Sequence, residues 1–176
     1  MRFTSCVFLM SLFTVAACGG SGTSGTTSPS GSSGTGTTAG TMSARIDGTL
    51  WTASTVSATK VLSSTGVPFG TLAVSGTGSL ANQTVNLTFT IPAVAGAYTL
   101  GSAPGNIPGP QNASLTNSST TAQWNATSTI GSGSITVTSL TLTNAVGAFA
   151  FVLPPVASTS ATGTRVVTEG SFLVSF

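Results

Sequence analysis

The chain of 176 residues has no histidine, one tyrosine and very little charge: four lysines and arginines against two aspartates and glutamates. Each shortage closes a class of function. Without histidine, a serine or cysteine nucleophile has only Lys60 to turn to as a base, and Lys60 lies in Ala58-Thr59-Lys60-Val61-Leu62, which reads as a strand with its cation in solvent. A carboxylate pair would have to be Asp47 with Glu169, and each precedes a glycine, where a turn explains it more simply. Zinc lacks ligands, and calcium would need more carboxylates than two, so neither a metal nor a cofactor is expected. Arg45, Lys60 and Arg165 are too few and too scattered to displace the counterions of a nucleic acid, so that partner is not expected either.

Cysteine is scarce as well, with Cys6 and Cys18 both near the start. Arg2 supplies a positive n-region, and Cys6 to Phe13 form an apolar run too short to cross a bilayer, the pattern of a signal peptide over residues 1–17. The stretch Val15-Ala16-Ala17-Cys18 resembles the bacterial lipobox, which implies cleavage before Cys18 and lipid attachment to it. Removal of Cys6 leaves one cysteine, committed to the lipid, and no disulfide. Two or three acyl chains make a lasting anchor, so the expected partner is a membrane. Gly19 stands where an aspartate would signal inner-membrane retention, which points to the outer membrane.

From Gly19 to about Thr41 the chain is Gly, Ser and Thr with a single proline, Pro29, and almost nothing to bury. It reads as a flexible tether whose roughly 23 residues span on the order of 25 to 30 Å.

Residues 42–176 form one expected domain. Their periodicity is two. Val85, Leu87, Phe89 and Ile91 alternate with Asn86, Thr88 and Thr90, so that one face packs and the other meets water. Half-buried strands are read likewise at Leu72 and Val74, Ile135 and Val137, Leu140 and Leu142, Phe149 to Leu153, and Phe172 to Phe176. A change of phase predicts a bulge near Ser139. Asp47-Gly48, Thr65-Gly66, Gly105, Gly109-Pro110, Gly131 and Pro154-Pro155 mark turns, and Ala103 to Asn117 is the longest stretch without a strand signal. The expected fold is an all-β antiparallel sandwich, with a small closed barrel as the alternative.

Ser43 to Ala53 reads as a hairpin turning at Asp47-Gly48, with Trp51 on the returning strand. If the first and last strands pair, Arg45 with Glu169 or Arg165 with Asp47 can form cross-strand ion pairs. The hairpin, Tyr98-Thr99-Leu100-Gly101 and the closing Gly170-Ser171-Phe172 together resemble a group of uncharacterised bacterial lipoprotein domains. Those domains open on an A-x-I/V-D/N-G-x-x-W/F-x-A hairpin and end on a G-x-F strand. The resemblance implies the all-β fold and the tethered location, and carries no activity or functional residues.

The function expected from these features is a noncatalytic surface lipoprotein with a structural or adhesive role. The alternative is a module binding a glycan or lipid through exposed aromatics or a barrel cavity, with Trp124 and Tyr98 as the contact residues. Core filling is the simpler role for Trp51, and for Trp124 also.

Overall fold

Alternation of apolar and hydroxyl residues favours extended backbone, because each strand then has one face to bury and threonine suits the pleated surface. The structure, a computed structural model, describes residues 40–62, 70–101 and 110–176. The readings of residues 1–39, with Cys18 among them, and of the turns at Thr65-Gly66 and Gly105 lie outside the described residues.

Ten strands follow in order: β1 (Gly40–Ile46), β2 (Thr49–Val61), β3 (Thr71–Leu80), β4 (Gln83–Pro92), β5 (Gly96–Leu100), β6 (Asn112–Asn117), β7 (Ala122–Ala126), β8 (Ser132–Leu140), β9 (Asn144–Leu153) and β10 (Arg165–Ser175). There is no helix among the described residues. All the strands join one sheet in the order β5-β8-β9-β10-β1-β2-β3-β4-β6-β7, and every pairing is antiparallel.

The long strand β2 is the corner. Thr49–Thr52 pair with β1 and Ala53–Val61 with β3, with a register shift between Ala53 and Thr55. A bulge of this kind bends a strand and lets one sheet fold over. It divides the sheet into a front half (β5, β8, β9, β10, β1 and the start of β2) and a back half (the rest of β2, β3, β4, β6 and β7).

The halves close on an aromatic core. Phe89 of β4 meets Phe172 of β10 and Phe149 and Phe151 of β9, with ring centroids 5.1, 5.5 and 6.3 Å away. The seam at the end strand β7 is closed by main-chain bonds to the chain leaving β9: Asn125 N–H donates to the Pro154 carbonyl, and Val156 N–H to that of Gln123. Beyond the end of β5, Gly101 N–H donates to Thr127 O. The all-β expectation holds. A ten-stranded sheet folded at β2 and nearly closed on itself combines the two layers of a sandwich with the continuity of a barrel.

Several local expectations are met. Asp47 and Gly48, with φ of 49° and 79°, make the two-residue turn, and β8 shifts register between Val137 and Ser139. Others need correction. β1 begins at Gly40, two residues before the expected domain start. Asn112–Asn117 form β6 instead of a loop, and alternation was hard to see there because Ala113 buries little area for its position. Leu140 ends β8, while Leu142 sits in the following turn with 87% of its surface exposed. Glu169-Gly170 is a bulge inside β10, where the pairing with β9 skips from Val167 to Gly170. A turn there is ruled out by the continuing ladder.

Candidate functional site

The few charged side chains of the described residues come first. β1 lies between β10 and β2, which brings the first and last strands together. Arg45 Nε donates to Glu169 Oε2 at 3.0 Å, and Arg165 Nη1 to Asp47 Oδ2 at 2.6 Å. Both expected ion pairs are formed. Asp47 also accepts from Val166 N–H through Oδ1 at 2.9 Å, so the hairpin turn is clipped to the start of β10. Lys60 donates to the Thr141 carbonyl at 2.8 Å and lies 5.5 Å from the centre of the Phe176 ring. Its cation is therefore held against the β8–β9 turn, where simple solvent exposure had been expected.

The aromatics named from sequence take separate places. Trp51 is fully buried, in line with the core role. Trp124 on β7 retains 4% of its surface. Its indole N–H donates to the Gly163 carbonyl at 2.9 Å, and the Arg165 guanidinium covers the ring at 4.6 Å. Tyr98 on β5 is half-buried beside Ile135, and its hydroxyl donates to the Val94 carbonyl. Burial pushes its phenol above the ordinary tyrosine range, and the hydrogen bond to Val94 pulls the other way. The two rings sit on β5 and β7, the end strands of the sheet, with their polar tips already engaged.

The outer face of the front half carries a groove of about 620 Å³, where the end of β5 and the start of β8 meet the end of β9 and the start of β10. Its shape follows from local sequence. Gly133 lets β8 lie close against β9, where a Cβ would stand 2.5 Å from the Ala150 carbonyl oxygen. Ala150 leaves a shallow floor beside Ser134, its cross-strand partner. The β10 bulge places Thr168 at the rim. Val152 and Val166 pair across β9 and β10, and 40% and 42% of their surfaces are exposed on the same wall.

These residues were not singled out from sequence. A signal was present in β9, where Ala145 to Leu153 contains no polar side chain in either phase. A strand apolar on both faces marks an outer face different from its neighbours.

The molecule is thus an antiparallel all-β domain with an aromatic core and a neutral groove on one outer face. Residues 38–174 match the family described as a domain of unknown function, DUF6252, and the chain belongs to that family. No curated protein and no solved structure matches the chain. The resemblance seen in the opening hairpin and closing strand agrees with membership of an uncharacterised family.

Proposed function

We propose that this chain is a noncatalytic lipoprotein of the bacterial envelope, anchored through lipid on Cys18 and held off the membrane by residues 19–39, with an adhesive or structural role. One observation carries the noncatalytic part: the domain commits its charged groups to its own architecture. Arg45, Asp47, Arg165 and Glu169 lace β1 and its turn to β10, and Lys60 holds the Thr141 carbonyl. Groups committed in this way are poorly placed for proton transfer to a substrate. The anchor rests on the signal-like residues 1–17 and the small residues before Cys18, and the outer membrane on Gly19.

Fractionation of the native host tests the anchor. Wild-type protein is expected in the membrane pellet and to incorporate labelled palmitate, whereas Cys18→Ser is expected in the soluble fraction without label. A Cys18→Ser protein that still sediments with membranes overturns this reading.

A further inference from the structure

Hydroxyl-bearing side chains stand on both outer faces of the sheet. On the back half a central cluster is satisfied internally: Asn86 donates to Ser75 and Thr77, Thr88 donates to Ser75 and Asn86, and Gln123 donates to Ser114. In the groove of the front half, Ser132, Ser134 and Thr168 carry hydroxyls that no other described residue takes up. They stand beside the exposed aliphatic surface of Ala150, Val152 and Val166.

We propose that this groove binds a segment of a neutral oligosaccharide, an inference that rests on the adhesive reading above and gives it a ligand. Four features argue for that occupant. The lining holds no charged residue, and Arg165 and Glu169, which flank it in sequence, are paired with Asp47 and Arg45, so no ionic partner is complemented. The polar side chains of the lining are hydroxyls, which donate and accept as sugar hydroxyls do. The aliphatic wall suits the C–H face of a pyranose ring, and the volume lies within the range of small-ligand sites. A second copy of this chain fits poorly, because two hollows brought face to face would enclose empty volume where interfaces pack to interior density.

The test uses the full chain carrying Cys18→Ser, titrated with short neutral oligosaccharides of glucose, mannose, galactose and N-acetylglucosamine while backbone amide shifts are followed by NMR. At least one sugar is expected to bind saturably, with the largest shifts at Ser132, Ser134, Val152, Val166 and Thr168. Val152→Asp places a charge on the exposed wall and is expected to weaken binding about tenfold or more, equivalent to about 1.4 kcal/mol. Ser57→Asp on the back half is expected to leave binding unchanged, and unaltered thermal unfolding of both variants shows that the fold is kept. Absence of binding by every neutral sugar at millimolar concentration overturns the proposal. So does binding indifferent to Val152→Asp, a preference for anionic sugars, or a dimer in sedimentation that Val152→Asp abolishes. Each of these outcomes leaves the membrane-fraction result for Cys18 standing, so failure of the ligand and failure of the anchor are read separately.

Discussion

Trp51 owes its place to what two glycines lack. A Cβ at Gly76 would come within 3.0 Å of the indole and 2.6 Å of Met42 Sδ, and one at Gly78 within 2.8 Å of Trp51 Nε1 and 2.4 Å of the Thr52 carbonyl oxygen. The indole reaches both of these bare positions on β3. Trp51→Ala should cost about 3 to 5 kcal/mol in chemical denaturation, the range for emptying a large aromatic site. Gly78→Ala should cost about 1 to 3 kcal/mol or more by overpacking, because the carbonyl of Thr52 belongs to the backbone and yields little. The core role of Trp51 was legible from its hairpin, whereas the need for Gly76 and Gly78 was not, since a glycine in a strand looks the same whether or not a ring covers it. Tyr98 gives a pH signature. Its phenol titrates higher in the folded chain than in the unfolded one, so its contribution is complete below the ordinary tyrosine value and is lost as pH rises through the folded value. Wild type should exceed Tyr98→Phe in stability by about 0.5 to 1.5 kcal/mol at neutral pH, the worth of the bond to Val94, and the margin should shrink in alkaline titrations above about pH 10.

Among the elements, the β1–β2 hairpin was readable because Asp-Gly is the usual residue pair for a turn with positive φ at both central positions. The β3–β4 hairpin uses the same geometry with Ala81 and Asn82, at φ of 49° and 65°. Alanine carries no signal for that conformation, so the turn was silent. Ala81→Gly should therefore stabilise the protein by removing the strain of alanine at positive φ, by about 1 kcal/mol in thermal or chemical unfolding. The same silence hid β6 and β7, whose buried positions at Ala113, Ala122 and Ala126 hold small side chains that blur an apolar alternation. The ion pairs, in contrast, followed from a single assumption about which strands meet. Glu169 and Arg45 are both largely exposed, and a double-mutant cycle across them should return less than about 1 kcal/mol, falling with added salt. Gly170 is the costly residue of that bulge: a Cβ there would sit 2.3 Å from the Phe149 ring, so Gly170→Ala should destabilise far more than removal of the neighbouring ion pair.

For the molecule as a whole, topology sets the behaviour. β1 pairs with β10 across nearly the whole domain, Arg45 against Thr168, so much of the sheet forms only when distant segments meet. Folding measured by stopped flow should accordingly fall in the millisecond-to-second range of all-β domains. Fold class was legible because β4 and several other strands repeat the same two-residue rhythm; the groove was not, because its hollow depends on Gly133, the β10 bulge and the neighbouring strand ends converging in space. The position of β1 has one more result, a mechanical one. The chain enters the sheet at Gly40, while Arg45 and Ile46 at the other end of the same strand pair with Thr168 and Val167, which line the groove. Tension between the chain ahead of Gly40 and a load gripped at that groove runs along β1. Its hydrogen bonds to β10 and β2 flank the line of pull on both sides, so they are strained in shear and must fail together instead of unzipping in turn.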